Sequence, residues 1–122
     1  MKNFICLIFF LPFFVDAQTS YTEEQKIDHL IAYVSTLKDA IFIRNGSEYK
    51  PLDAANHLKV KYDKAGDKIK TAEDFIEKIA SVSSMSGEPY KIKFSNRKVF
   101  NCELILKIEL KKLIEGKVKL LK

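Results

Sequence analysis

Two imidazoles, a group of serines and one arginine-bearing turn are the places where this chain could do chemistry. His29 and His57 are the only histidines among 122 residues. They fall on separate predicted helices, and neither has the His-x-x-x-His or Glu-x-x-His spacing that would aim two ligands from one helix face. No metal centre is expected and no cofactor is implied. Ser83, Ser84 and Ser86 stand beside Gly87, whose backbone could present amides to an oxyanion. A serine activated by His57 would make a small hydrolase, but the Gly-x-Ser-x-Gly elbow is missing and a polar loop is the plainer reading. Arg44-Asn45-Gly46-Ser47 is the densest polar spot in the first half. A turn that exposes Arg44 beside backbone amides suits a carboxylate or phosphate. The alternative is a hairpin turn with Arg44 paired to Glu48 or to a neighbouring helix. Asn45-Gly46-Ser47 also matches the glycosylation sequon, which matters only in a host that glycosylates.

The elements that must position these groups can be read in order. Thr22 and Gln25 have capping-box spacing, and Ile27, Leu30, Ile31, Val34 and Leu37 recur on one face, which predicts a helix over residues 22–37. Ile41-Phe42-Ile43, then Asn45-Gly46, then Ser47-Glu48-Tyr49 predict a β-hairpin, because Asn-Gly tolerates positive φ at both turn centres. Pro51 suits a first helical position, and Leu52, Ala55, Leu58 and Tyr62 mark a stripe that stops at Gly66. A third helix, residues 72–83, starts after Thr71 and faces Phe75, Ile76 and Ile79 inward. A polar loop follows through Pro89. Tyr90, Ile92 and Phe94 alternate with Lys91 and Lys93 as a strand, and residues 95–97 turn into a partner strand at 98–100. Residues 103–121 read as a last helix with Leu106, Leu110, Leu113 and Ile114 as its stripe. The fold class is α+β: a small single domain with about four helices packed on two short antiparallel β-hairpins. Whether the hairpins pair with each other is not decided by periodicity.

Ahead of this domain, residues 4–15 are an almost unbroken apolar run after Lys2, too short for the ~20 residues that cross a bilayer. Val15-Asp16-Ala17 offers compact residues at the positions a signal peptidase reads, so residues 1–17 are expected to be a cleaved signal peptide and residues 18–122 the domain. No transmembrane segment is expected after its removal. Cys102 would then be the sole thiol, which excludes an intramolecular disulfide and leaves it buried and inert or open to pairing between chains.

The formal charge is +5, unevenly spread: residues 18–89 carry −2 and residues 90–122 carry +7. Lys91, Lys93, Lys98, Lys107, Lys111 and Lys112 could steer an anionic lipid or polymer, or simply solvate a helix face. Arginine supplies 2 of the 21 basic residues, which leaves nucleic acid without its bidentate readers and argues against it as a partner.

Several segments read together: Phe42-Ile43-Arg44-Asn45-Gly46-Ser47 with Tyr49, Ala55 with His57-Leu58 and Lys61, Thr71-Ala72-Glu73, Phe75-Ile76, Ile79-Ala80-Ser81, Ser83-Ser84, Ser86-Gly87 and Pro89-Tyr90 with Ile92. In these the chain resembles the YfeK-like family, small exported bacterial proteins built on one domain of unknown function. The resemblance spans residues 22–92 and fades beyond Phe94. It implies export, periplasmic or secreted, and puts Arg44, Asn45, Ser47, Tyr49, His57, Ser84, Ser86 and Tyr90 on family positions as candidate ligand-binding residues. No catalytic or metal-binding residue is assigned. The expected function is a non-enzymatic binding or interaction module of the cell envelope, its partner an envelope protein or anionic polymer. The alternatives are a small serine/histidine hydrolase of an envelope substrate and a basic-surface binder of anionic lipid or polymer.

Overall fold

The order of elements follows the local signals closely. The computed structural model describes residues 20–122; the expected signal peptide, residues 1–17, lies outside the described residues. Helix α1 is Glu23–Thr36, and Thr22 closes the expected capping box: the Gln25 amide donates to Thr22 Oγ1 at 3.0 Å and the Thr22 amide to Gln25 Oε1 at 2.9 Å. Strands β1 (Ile41–Arg44) and β2 (Ser47–Tyr49) flank a turn in which Asn45 and Gly46 have φ of 52° and 79°. That pair of left-handed centres is why Asn-Gly occupies it. Helix α2 is Pro51–Ala65, bounded by the proline and by Gly66 as read from the sequence. Its buried face differs in one position: Leu52 is exposed and Ala54 turns inward beside Ala55 and Leu58.

The third helix is shorter than its apolar pattern. Helix α3, Ala72–Asp74, starts at a Thr71 cap and widens into a π-turn over Phe75–Ile79, with the Ala80 amide reaching the Phe75 carbonyl at 3.1 Å. The chain leaves the helix there because residues 81–83 are needed elsewhere. The Ser81 carbonyl accepts from the Tyr90 amide at 2.9 Å, and the Ser83 amide donates to the Glu88 carbonyl at 2.9 Å. A 3₁₀ turn, Gly66–Lys68, links α2 to this segment.

Strands β3 (Lys91–Lys93) and β4 (Val99–Asn101) form the second hairpin, and helix α4, Cys102–Ile114, follows directly. This helix is also shorter than its sequence pattern. Gly116 at φ 75° closes it: the Lys117 amide bonds the Lys112 carbonyl and the Gly116 amide the Leu113 carbonyl, a Schellman arrangement. Ile114 of the expected stripe is exposed, and the residues after Gly116 return to α1.

The two hairpins join through β1 and β3 into one antiparallel sheet of order β2-β1-β3-β4. The registers place Tyr49, Phe42, Ile92 and Phe100 in one row across it. Phe42 and Ile92, in the middle of that row, are buried with the inward faces of the helices: Leu30 and Val34 of α1, Leu58 of α2, Phe75 and Ile76 of the π-turn, Leu106 of α4. The described residues thus form a small α+β domain, four helices against a four-stranded sheet. Among the described residues no helix is long and apolar enough to cross a membrane.

Candidate functional site

Side chains alternate across a strand, so Arg44 shares the sheet face of Phe42. The β1–β3 pairing brings Tyr90 alongside, and α2 lies over them with Asp53, Ala54, His57 and Leu58, spaced as one helical face. Between sheet and helix is a cavity of about 270 Å³, lined by these residues together with Ile43, Tyr49 and Cys102. Its floor is apolar: Phe42, Ala54, Leu58 and the Cys102 thiol are all buried. Burial also pushes the thiol pKa up to about 12, so it lines the cavity as a neutral group and is not positioned to pair with another chain.

The polar groups are at the cavity's edge. Arg44 Nη2 donates to Tyr49 Oη at 3.2 Å, and the guanidinium carbon lies 5.4 Å from the centre of the same ring. The hydrogen bond to Tyr49 is the main cause that holds the guanidinium pKa above its ordinary value. His57 Nε2 is 3.3 Å from Tyr90 Oη, with the two rings edge to face. Lys61, one helical turn beyond His57, donates to Tyr90 Oη at 3.0 Å, to the Ile79 carbonyl at 2.9 Å and to the Val82 carbonyl at 3.2 Å. All three ammonium hydrogens are used, so Lys61 contributes charge to the site but no spare donor. Burial first, then the positive charges of Arg44 and Lys61, depress the His57 pKa below its usual 6.5. The ring is neutral at neutral pH.

Four of the eight candidate residues converge here: Arg44, Tyr49, His57 and Tyr90. Two others build a clasp beside the cavity. Asn45 Nδ2 donates to Ser83 Oγ at 3.0 Å, and Ser86 Oγ donates to Asn45 Oδ1, tying the hairpin turn to the 83–89 loop. The clasp engages the Asn45 amide that the glycosylation sequon would offer. Ser47 and Ser84 are exposed and line no part of the cavity. No serine lines it: the polar partner of His57 is a phenol, and Ser83 and Ser86 are bonded to Asn45, which gives the serine/histidine hydrolase no support. The expected alternative for Arg44, a pair with Glu48, is also corrected. Glu48 registers opposite Ile43, on the other sheet face, and its carboxylate is 3.6 Å from Lys93.

Lys61 and the apolar floor were not among the candidates, and Ser83 was weighed only as a nucleophile. The i, i+4 spacing from His57 was the signal available for Lys61; Ser83 and Cys102 become neighbours of the site only through long-range pairing. Among the described residues no cluster of three metal-ligating side chains occurs. The basic surface is partly neutralised, since Lys107 pairs with Glu103 at 2.7 Å and Lys111 lies 3.9 Å from Glu115.

A model of a family of unknown function, DUF5329, matches residues 21–114, so the match runs through α4 and past the point near Phe94 where the sequence resemblance fades. The chain is similar to the uncharacterized protein YfeK of Salmonella typhimurium, 35% identical over 92 residues that cover 74% of this chain and 77% of that protein. No solved structure matches it. The matched span contains all strands and helices of the described residues and the whole cavity wall, and the chain belongs to this YfeK-like family of unknown function.

Proposed function

We propose that the protein is exported to the bacterial envelope and works there as a non-enzymatic binding module, holding a small molecule in the cavity between the β1–β2 hairpin and α2. The observation that carries this reading is the cavity itself: an apolar floor with a few convergent polar groups at its edge, one of them a half-buried arginine that forms no salt bridge among the described residues. The apolar leader at residues 4–15 supports export. Polar chemistry at the cavity supports binding rather than turnover, because the hydroxyl beside His57 is the Tyr90 phenol, which Lys61 also holds, and no serine lines the cavity.

Protein-observed NMR with a panel of single-ring and short-chain fragments of either charge tests the cavity. Saturable shifts confined to Arg44, His57, Tyr90 and their neighbours are expected, and Ala54→Leu, which fills the floor, should abolish them. A panel that leaves these resonances unmoved at millimolar concentration removes the reading. Export is tested separately by the mass of the protein released by osmotic shock, expected to start at Gln18; an intact precursor confined to the cytosol overturns it.

A further inference from the structure

The charges around the cavity are distributed unequally, and this bears on what it can hold. We infer that its ligand is a small free organic carboxylate with a compact apolar body, a single ring or short acyl chain, the carboxylate on Arg44 and the body against Phe42, Leu58 and Cys102. This rests on the reading of the cavity as a small-molecule site and names the chemistry of the occupant.

Three observations lead there. First, a guanidinium offers five N–H donors; Arg44 spends one on Tyr49 Oη and Tyr90 is a second phenol within its reach, which leaves at least three. The nearest acid in sequence, Glu48, is turned to the opposite face toward Lys93. Asp53, also on the cavity wall, is exposed to solvent, which screens its charge. Arg44 and Lys61 both act on His57 as positive charges, so the field at the cavity's edge is positive, and Arg44 lines the cavity with donors to spare, the arrangement that suits a carboxylate. Second, only one cation can make contact. The three Lys61 hydrogens are held by Tyr90 Oη and two carbonyls, so its charge attracts an anion but its donors do not reach one. One contacting cation matches a monoanion better than a phosphate dianion, which would leave an oxygen unpaired at an apolar wall. Third, the space is about 270 Å³, below the usual range for drug-sized ligands, and the floor has no ionised group, since the Cys102 thiol is neutral. The part of the ligand that enters must be apolar and compact.

The experiment is a titration of the purified protein, followed by NMR, with phenylacetate and hexanoate, their neutral amides, phenyl phosphate, and N-acetylphenylalanine as a mimic of a peptide C-terminus. Both simple carboxylates should bind at least tenfold more tightly than their amides. Arg44→Gln should erase that difference by weakening the acids far more than the amides, and Arg44→Lys should recover only part of it; each variant is checked for a wild-type amide spectrum. Equal binding of acids and amides, indifferent to Arg44→Gln, overturns the carboxylate assignment while the cavity reading stands. Tighter binding of phenyl phosphate overturns the monoanion, and tighter binding of N-acetylphenylalanine overturns the free acid as its source. If no probe of any charge moves the cavity resonances, it is the cavity reading that fails.

Discussion

His29 Nε2 lies 2.7 Å from Glu109 Oε2, and both side chains are buried between α1 and α4. The tautomer follows from the other ring nitrogen. The Leu121 amide donates to His29 Nδ1 at 2.9 Å, so Nδ1 bears the lone pair and Nε2 carries the proton that Glu109 accepts. One imidazole thereby joins α1, α4 and the segment after α4. The carboxylate charge is felt at Tyr33, whose phenol is held above its usual pKa by burial first and then by Glu109.

Breaking this arrangement from one side should cost more than removing it. Glu109→Ala leaves a buried imidazole N–H without an acceptor, and a loss of about 3 kcal/mol is expected in urea unfolding. His29→Ala should cost a similar amount and also release the Leu121 amide, which would then exchange its hydrogen rapidly. In the double variant His29→Leu/Glu109→Leu most of the stability should return, because apolar side chains of comparable size fill the site without an orphaned polar group. Additive losses in a cycle closed with the single variants His29→Leu and Glu109→Leu would show that the two side chains are not coupled.

Nothing local announces that pair. His29 and Glu109 are 80 positions apart, and each lies among residues that read as ordinary helix. What was legible in the sequence was whatever a few adjacent residues decide: the Thr22–Gln25 capping box, the Asn45-Gly46 turn, Pro51 and Gly66 bounding α2. Where tertiary demands compete with local pattern, the reading fails. Ile79-Ala80-Ser81-Val82 continues a helical stripe, yet Ser81 and Ser83 are taken by pairing with Tyr90 and Glu88, and the helix ends in a π-turn. The end of α4 is legible in Gly116, a residue suited to close a helix, although the apolar pattern runs on past it. The site divides in the same way. Arg44, Tyr49, His57 and Tyr90 stood on recognisable family positions, but Tyr90 joins the others only because β1 pairs with β3.

The clasp between Asn45 and the serine loop separates two contributions that substitutions can resolve. Asn45 holds a left-handed φ of 52° and also bonds Ser83 and Ser86. Asn45→Gly keeps the backbone unstrained and removes the bonds, and should cost about 1 kcal/mol. Asn45→Ala removes the same bonds and adds left-handed strain of about 1–2 kcal/mol, so it should be the less stable of the two. Identical unfolding midpoints for both variants would mean that the turn relaxes and that φ at this position carries no strain.

The depressed pKa of His57 makes the fold sensitive to acid in a direction that can be worked out. In the unfolded chain the imidazole takes up a proton near its ordinary 6.5; in the folded protein burial and the charges of Arg44 and Lys61 delay that uptake to lower pH. Between the two values the unfolded state binds more protons, so stability rises with pH there. The contribution of the neutral ring is fully present above about pH 6.5 and is lost as pH falls through the folded-state value. His57→Asn cannot titrate and should flatten this part of the stability profile, although other groups still shape the curve. An NMR titration of the imidazole should show a midpoint below 6.5, and Arg44→Gln should move it upward by removing one of the two positive charges. A carboxylate seated on Arg44 should do the same, because it neutralises the same charge, so the histidine reports occupancy of the cavity. A midpoint at or above 6.5 in the free protein would remove the electrostatic account of the site, and with it the reason for expecting an anion there.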